Sequence, residues 1–434
     1  MKLLKFLSAA FLYLAISSCG KSSDTVKPVT PVTPVTPTPP VTPVTPPTTN
    51  SDVYIVGIVN NKATLWKNGV ATTLAASSAK TTGYSVYVYG TDVYVAGYGT
   101  DVNNGNGVAI LWKNGVASTL AATNPGAEAN SVYVASGTVY VAGYSIVLYQ
   151  NNQDYPDNGV LSYNVATLWI NGAPTILSDG NKAFFDNNGI LKDGDATNRE
   201  SVASGVYANG SDVYVSGWED YGAYGQVNAT LWKNKNKLIL YNPLGGDFTT
   251  NAPSPGFIGK FFSGDTSYII PPNFSLNSTN EATSVFASNS GVYVAGFVTQ
   301  GAYNGGIQVN APHRATVWKN GIESPLGDST QFANPNAVFA SGNDVYAVGF
   351  NFPTGKVTPV VWKNGITSSL PYTGEGAAAK SIFVLGTDVY VVGTETISSA
   401  NATYKGVMWK NGTATEFTDP ANRTFIESIF VKVK

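Results

Sequence analysis

The sequence is poor in the residues that build most metal and redox sites. Its 434 residues include one cysteine and one histidine. A single cysteine cannot form an intramolecular disulfide or a cysteine-based zinc or iron–sulfur site, and a single histidine cannot supply a multi-histidine metal site. We therefore predict no cofactor that depends on these ligands, and we assign no metal-binding residue.

Charged residues are also scarce, at 12% of the chain, and their signs nearly cancel, with 25 Lys and Arg against 27 Asp and Glu. The basic surface that nucleic-acid binding requires is lacking, so we predict no nucleic-acid partner. Hydrophobic residues amount to 43% of the chain. That share is enough for a sizeable core and is not typical of a disordered chain.

The N-terminus has the features of an export signal. Two lysines precede an apolar stretch from Phe6 to Ile16. This stretch has the length of a signal-peptide core and is too short to span a bilayer as a mature helix.

The export signal ends in Ile16-Ser17-Ser18-Cys19, which contains the only cysteine of the chain. This tetrapeptide resembles the lipobox of bacterial lipoproteins, here of the Bacteroidota type. The resemblance implies cleavage before Cys19, lipidation of its side chain and attachment to a membrane through acyl chains. It also implies a place in the cell envelope, as an outer-membrane lipoprotein that could reach the cell surface. The alternative is an ordinary cleaved signal peptide with an incidental cysteine.

Val26 to Asn50 is a low-complexity segment of Pro, Thr and Val. Proline removes backbone donors and disfavours helix and sheet interiors, so polyproline II is the natural conformer. At roughly 3.1 Å per residue, such a spacer reaches at most about 75 Å. We therefore divide the chain into a signal peptide (1–18), a lipidated cysteine with its linker (19–50) and a repeat domain (51–434).

Two short signatures alternate strictly through the repeat domain, with seven copies of each. The first is W-K-N-G, with one substitution in each of two copies, and it centres on Trp66, Trp112, Trp169, Trp232, Trp318, Trp362 and Trp409. The second, D-V-Y-V-x-G, centres on Tyr54, Tyr94, Tyr140, Tyr214, Tyr293, Tyr346 and Tyr390.

Each repeat is interpreted as four short strands, A to D. S-V-Y-V forms strand A, D-V-Y-V-x-G strand B and the tryptophan segment strand C, and Asn-Gly is the chemistry of a two-residue type I′ turn into strand D. A four-stranded meander repeated radially is a β-propeller blade. The sequence therefore predicts an all-β, seven-bladed propeller.

The ends of the repeat domain indicate how the ring closes. The first repeat begins at Asp52 with strand B, and the chain ends with a lone strand A at Glu427 to Val431. We expect this last strand to complete the first blade. A six- or eight-bladed ring with a merged or unrecognised repeat is the alternative.

The strand B to strand C half of each unit, with its A-L-W-x-N-G-x-L pattern, resembles the extracellular repeats known as the HAF family. The resemblance implies an extracellular repeat protein. It supplies no catalytic residues to transfer to this chain.

The B–C and D–A connections vary in length and lie together on one rim, the elaborated rim, whereas the A–B and C–D turns form a plain rim. Binding residues concentrate on loops held by a rigid scaffold. Aromatic faces beside amides suit sugars, so the candidate ligand-binding residues are Tyr149, Tyr155, Trp218, Tyr221, Tyr224 and Tyr303. The alternative is that these aromatics only pack the loops onto the ring.

Three functional classes remain open. We favour a binding or interaction scaffold for a glycan or a protein, and we assign no catalytic residue. A carbohydrate-active hydrolase or lyase would need paired carboxylates, for which the candidates are Glu128, Asp154, Asp157, Glu219, Asp220 and Glu281. A purely structural envelope protein is the third class.

His313 is the only histidine, and no motif around it supplies a catalytic or metal-binding partner. We expect it to be a surface or loop residue.

Calcium is a weaker alternative cofactor. Asp193 to Thr197 places oxygen ligands at the first, third and fifth positions, as at the start of a calcium loop, but lacks the later glycine and glutamate of an EF-hand. Asx turns explain this segment, and a similar one at Asp101, without a metal.

The residue just before strand A occupies an equivalent position in every blade. Closure of the ring makes blades seven and one neighbours, so we predict that Lys380 and Glu427 come close enough for an ion pair. In blade order from two to one these residues are Tyr84, Asn130, Ser204, Thr283, Asn336, Lys380 and Glu427.

Overall fold

Valine, tyrosine and tryptophan dominate the repeated segments, and these segments are strands in the structure, a computed structural model. They form seven four-stranded antiparallel sheets, arranged as a seven-bladed β-propeller. The fold class predicted from the repeats is confirmed. The structure describes residues 51–434 except 79, 102–104, 123, 125, 151–159, 179–199, 221–226, 241–278, 300–301, 305–306, 310–312, 329–330, 354 and 418–422.

The two strands nearest the channel in each blade are the predicted strands A and B. The innermost strands, from blade two round to blade one, are β4 (Thr81–Tyr89), β8 (Ala127–Ala135), β12 (Ser201–Asn209), β16 (Glu281–Ser288), β22 (Ala333–Ser341), β26 (Gly376–Leu385) and β30 (Thr424–Val433). The second strands, from blade one to blade seven, are β1 (Ser51–Val59), β5 (Asp92–Thr100), β9 (Thr138–Gln150), β13 (Asp212–Asp220), β17 (Gly291–Thr299), β23 (Asp344–Asn351) and β27 (Asp388–Ser398).

The two outer strands of each blade are the predicted strands C and D. The third strands, from blade one to blade seven, are β2 (Lys62–Lys67), β6 (Gly107–Lys113), β10 (Val160–Ile170), β14 (Val227–Lys233), β20 (His313–Lys319), β24 (Thr358–Lys363) and β28 (Thr403–Lys410). The outermost strands are β3 (Val70–Thr73), β7 (Val116–Thr119), β11 (Ala173–Ile176), β15 (Asn236–Ile239), β21 (Ile322–Pro325), β25 (Ile366–Ser369) and β29 (Thr413–Glu416). Blade five adds a small hairpin, β18 (Ala302–Asn304) and β19 (Ile307–Val309).

The last strand closes the ring as predicted. β30 pairs antiparallel with β1, with Tyr54 opposite Phe430 and Val53 opposite Val431. Each inner strand also contacts the inner strands of both neighbouring blades, including β30 against β4 and β26. The first blade is thus built from both ends of the domain, and its inner edge is covered rather than left open.

The turn from strand C to strand D has the predicted type I′ geometry. In blade one Asn68 and Gly69 have φ values of 51° and 83°. Asparagine and glycine tolerate such positive φ values better than other residues do. Blade four departs from the pattern, because Lys235 stands where the other blades have glycine and adopts a φ of 73°.

The hydrophobic core consists of seven clusters, one between each pair of adjacent blades. Every strand C tryptophan is at most 3% exposed and lies in one of these clusters. The Trp112 indole N–H donates to the Ala75 carbonyl of the preceding connection at 2.8 Å, and Trp169 donates to Ala121 at 2.6 Å. The tryptophan repeat is therefore inter-blade packing.

The remaining residues of the two signatures form a hydrogen-bonded unit on the plain rim. In every blade the turn asparagine accepts the backbone N–H of the strand B valine, as Asn114 does from Val93 at 2.8 Å. In five blades the aspartate pairs with the strand C lysine, as Asp92 does with Lys113 at 2.8 Å. Exposed pairs of this kind contribute about 0–1 kcal/mol each.

Two connections differ from the sequence expectation. The connection Tyr144–Val165, which the repeat signatures leave as a loop between strands B and C of blade three, is largely strand, because β9 and β10 extend further than their equivalents in the other blades and pair as far as Gln150 and Val160. The corresponding connection of blade five, Phe297–Arg314, contains the hairpin β18–β19. In the first segment Ile146 to Tyr149 is a continuous apolar run and Leu161 to Val165 alternates between apolar and polar residues. Both patterns are compatible with strands, and the repeat alignment alone did not capture them.

Candidate functional site

Each inner strand carries a β-bulge at the same position, near the elaborated rim. The seven extra residues are those predicted to precede strand A, and all seven are half-buried. That prediction was wrong in one respect, because they lie inside the strand as its bulged residues. A bulge re-aims a side chain, and here it does so at Tyr84, Asn130, Ser204, Thr283, Asn336, Lys380 and Glu427. We call these residues the mouth ring.

The ion pair predicted across the closure is confirmed. Lys380 Nζ lies 3.5 Å from Glu427 Oε2, with side chains 28% and 19% exposed. The pair joins blade seven to the strand that completes blade one. It therefore confirms the blade register and the sevenfold count together.

Other members of the mouth ring bond across blade boundaries. Asn130 donates to the Ala203 carbonyl at 3.0 Å, and Asn336 donates to the Ala379 carbonyl at 2.7 Å. These bonds hold the amide side chains in fixed positions. The mouth therefore presents an ordered set of polar groups.

A second ring of hydrogen bonds follows one residue further along the strand. The serine of S-V-Y-V accepts the backbone N–H of the next blade's inner strand at 3.1–3.3 Å, for example Ser85 from Val132. Five blades make this bond. Blades four and six have Gly205 and Ala337 at this position, which offer no hydroxyl.

Glu128 lies beside the mouth ring and accepts a hydrogen bond from the Tyr144 hydroxyl at 2.9 Å. Burial raises the pKa of Glu128, while its hydrogen bonds with Tyr144 and Tyr84 act in the opposite direction. Burial also raises the pKa of Tyr84 well above its usual value, and the charges of Glu128 and Glu427 raise it further. This side of the mouth thus brings together the carboxyl groups of Glu128 and Glu427 and the phenols of Tyr84 and Tyr144.

Below the mouth ring, seven aromatic side chains form a closed circle, one from each inner strand. Neighbouring ring centroids are 4.3–5.1 Å apart, within the range of favourable aromatic contacts. The circle closes from Phe430 back to Tyr87. Its members are Tyr87, Tyr133, Tyr207, Phe286, Phe339, Phe383 and Phe430.

This aromatic circle constricts the channel. Seven centroids at such spacing lie on a circle about 11 Å across, and the thickness of the rings themselves leaves an opening of at most about 7 Å. The mouth is thus a shallow cup with polar walls and an aromatic floor.

The structure places only part of the predicted ligand-binding set. Trp218 lies half-buried in β13, opposite Val202 of β12 and Ala229 of β14. The backbone of Tyr149 belongs to β9 and that of Tyr303 to β18. Outside the described residues lie Tyr155, Tyr221, Tyr224 and the lipidation candidate Cys19.

An aromatic cluster on blades five and six was missed. His313 stacks between Phe297 and Phe332, with centroid distances of 4.2 and 4.4 Å, and Phe332 also contacts Phe350 and Phe352. The expectation for His313 was therefore wrong: it opens β20 and is half-buried. Burial lowers its pKa to about 4. The signal available in the sequence was the density of phenylalanine at Phe332, Phe350 and Phe352.

The candidate carboxylates have different surroundings. Glu219 is 5% exposed and pairs with Lys237 at 2.8 Å, which is a structural arrangement. Glu281 opens β16, and burial raises its pKa to about 7. Asp220 ends β13, and Asp154 and Asp157 lie outside the described residues.

In the part of the chain that the structure describes, no group of three or more His, Cys, Asp or Glu side chains is placed to hold a metal ion. The calcium-like segment from Asp193 to Thr197 lies outside the described residues. The described strands and loops also contain no helix of the length and apolarity needed to cross a membrane.

No protein-family model and no curated protein sequence matches the chain. Among solved structures, a Mycobacterium tuberculosis puromycin-hydrolyzing peptidase is similar at 9% identity and a TM-score of 0.45, over 85% of this chain and 53% of that one. Uncomplexed Pyrococcus horikoshii acylaminoacyl peptidase has 12% identity and a TM-score of 0.42, over 86% and 51%. Kuenenia stuttgartiensis hydrazine synthase has 11% and 0.41, over 88% and 47%.

This chain thus spans about half the length of these solved structures. Similarity at this level transfers no activity, substrate or partner to it.

Proposed function

We propose that the protein is a membrane-anchored, extracytoplasmic binding scaffold that engages a glycan or a protein on the elaborated rim of its propeller. The observation that carries the proposal is the difference between the two rims. All A–B and C–D turns on the plain rim contain two residues, whereas the B–C and D–A connections range from a two-residue turn to long segments. Variable loops on a rigid scaffold are the usual place for binding.

The mouth of the channel supports this assignment chemically. The mouth ring combines amides, hydroxyls, a phenol and one ion pair, and it stands above an aromatic floor. Hydrogen-bond donors and acceptors beside aromatic rings suit sugars and peptides. Because the inner strands and the bonds between blades fix these groups, little ordering entropy is lost on binding.

The anchor rests on the sequence of the N-terminus. Lipidation of Cys19 would attach the chain to the membrane, and the Pro/Thr-rich linker would hold the propeller up to about 75 Å away. A scaffold at that distance could reach ligands beyond the immediate membrane surface. The proposal therefore includes the cell envelope as its location.

The anchor is tested by the substitution Cys19→Ala in the full chain. Without the thiol no acyl chain can be attached, so we expect release from the membrane fraction into the soluble extracytoplasmic fraction, or stalled processing. Fractionation and mass of the mature N-terminus measure both. Membrane association and processing that match the wild type would refute the anchor.

The binding role is tested with the wild-type full chain on a glycan array and in a pull-down from envelope extracts. The proposal expects a reproducible ligand from at least one of the two. A chain that captures nothing specific in either experiment would contradict the scaffold role.

A further inference from the structure

The plain rim, which consists of the A–B and C–D turns and the strand ends beside them, carries an excess of positive charge. Strand C ends in lysine in six of the seven blades, and Lys235, Lys432 and Lys434 lie at the same rim. Against these nine lysines stand five aspartates, one in each of the five blades that form the aspartate–lysine pair. The whole chain has a formal charge of −2, so this positive excess is a local property of the rim.

Lys319 is the clearest of the lysines that lack an aspartate. Blade five has Gly291 where the five pairing blades have aspartate, and no carboxylate of the described residues pairs with the Lys319 ammonium group. Its Nζ instead lies 5.3 Å from the centre of the Tyr293 ring. Lys319 is exposed, as is Lys235 in the turn of blade four. Both positive charges are therefore accessible to a partner.

Large aliphatic side chains are exposed beside these lysines. Strand D begins with Val70, Val116, Ile322 and Ile366 in blades one, two, five and six, and these residues are 58–74% exposed. Each lies directly opposite the lysine that ends strand C, as Ile322 does opposite Lys319, so the two side chains share one face of the blade. Single exposed aliphatic residues are ordinary, whereas a set of them at equivalent positions of one rim indicates an interaction surface.

The chain enters the propeller at the same rim. Strand B runs from the plain rim to the elaborated rim, and β1, the strand B of blade one, begins at Ser51 opposite Val433. The Pro/Thr-rich linker, whose last residue is Asn50, is therefore joined covalently to the plain rim. Its reach of at most about 75 Å is an upper limit, so direct contact between this rim and the membrane that holds the anchor lies within it.

We propose that the plain rim docks on the surface of a bilayer that contains anionic lipids. In this arrangement the lysines contact the anionic headgroups, which attract basic residues. The four aliphatic side chains enter the boundary between headgroups and acyl chains, as apolar residues of interfacial proteins do. A purely acidic polymer attracts the lysines but buries none of the aliphatic side chains. The proposal rests on the membrane anchor of the proposed function and adds an orientation, in which the elaborated rim faces away from the membrane.

Co-sedimentation with lipid vesicles tests the docking independently of the anchor. The protein is the mature chain from residue 19, produced without its signal peptide so that Cys19 is not acylated. The vesicles contain either phosphatidylcholine alone or equal parts of phosphatidylcholine and phosphatidylglycerol. We expect the wild type to sediment with the mixed vesicles and not with phosphatidylcholine alone. Added salt should weaken the binding, because it screens exposed charges.

The rim variant combines Lys319→Gln, Ile322→Ser and Ile366→Ser, all at exposed positions of the plain rim. It should bind the mixed vesicles more weakly than the wild type by about tenfold or more, because one charge and two interfacial side chains are lost. Its melting temperature should be unchanged. Lys319→Glu alone reverses a single exposed charge and should weaken the binding in the same direction.

The matched control makes the same kinds of change away from the plain rim, as Lys80→Gln, Leu148→Ser and Ile176→Ser. Leu148 and Ile176 are exposed, and Lys80 is exposed next to the elaborated end of β4 and β5. This control should bind the mixed vesicles as the wild type does.

The proposal is overturned if the wild type does not sediment with the mixed vesicles, if it binds both kinds of vesicle equally, or if neither rim variant binds more weakly than the control. Such a failure leaves the proposed function standing when Cys19→Ala releases the protein from the membrane and the array or the pull-down detects a ligand. The proposed function fails on those experiments, whatever the vesicles show.

Discussion

At the scale of single residues, the serine of S-V-Y-V links neighbouring blades through a hydrogen bond. Its hydroxyl accepts a backbone N–H of the next blade, so five serines join inner strands that share no sheet. Ala337 and Gly205 interrupt this ring. Blade six is the better place to restore it, because alanine already has the Cβ that glycine lacks.

We expect Ala337→Ser to raise the free energy of unfolding by about 0.5–1.5 kcal/mol, which is the net contribution of one intramolecular hydrogen bond to stability. Ser284→Ala removes the same bond one blade earlier and should lower it by a similar amount. Urea denaturation measures both. A destabilising Ala337→Ser would show that the serine ring contributes no stability.

Two buried groups of blade five give opposite pH dependences. The pKa of His313 falls to about 4 from its usual 6.5, so between these values the unfolded chain binds a proton that the folded chain does not, and stability falls as the pH is lowered. The pKa of Glu281 rises to about 7 from its usual 4.5, so stability falls as the pH is raised across that range. The two contributions oppose each other near pH 5–6.5.

We therefore expect His313→Gln to gain stability relative to the wild type when the pH falls from 7 to 5, by about 1 kcal/mol after allowance for its partial exposure. Glu281→Gln should lose stability relative to the wild type over the same interval. Denaturation at the two pH values checks the signs. Parallel curves for wild type and His313→Gln would contradict the burial of a neutral imidazole.

At the scale of elements, turns and strands differ in how well the sequence specifies them. Asn-Gly predicted the positive φ values of the C–D turns because few other pairs adopt them. The bulges were not predicted, because residues such as Thr82 and Gly83 before S-V-Y-V lack the apolar alternation that marks a strand. The seven mouth-ring positions were nonetheless chosen correctly, since repetition identifies equivalent residues without their geometry.

The exceptional turn of blade four provides a test. Lys235 has a φ of 73°, a region that costs a residue with a Cβ about 1–2 kcal/mol. Lys235→Gly should stabilise the protein by about 1 kcal/mol in a denaturant titration. Gly321→Lys, the reverse change in the equivalent turn of blade five, should destabilise it by a similar amount. Equal stability of Lys235→Gly and the wild type would mean that this turn is not strained.

At the scale of the whole molecule, the sequence repeats made the fold predictable, whereas the candidate functional site was less predictable from them. Blade number, closure and the Lys380–Glu427 contact followed from counting equivalent positions. The stacking of His313 on Phe332 depends on which side chains two different blades bring together. The sequence of a single repeat does not contain that information, so this contact is visible only in the three-dimensional structure.

The central claim is that ligands engage the elaborated rim and not the plain rim. Two serines of the inner strands allow a matched comparison: Ser204 belongs to the mouth ring, and Ser341 ends its strand at the opposite end of the channel. Both are half-buried, and a tryptophan at either position obstructs one end of the channel.

The most direct measurement is therefore the binding of Ser204→Trp and Ser341→Trp, each in the full chain, to the ligand captured by the wild type on the array or in the pull-down. We predict at least a tenfold loss of affinity for Ser204→Trp and wild-type affinity for Ser341→Trp, with both variants folded by circular dichroism. Loss of binding by Ser341→Trp together with unchanged binding by Ser204→Trp would contradict the account.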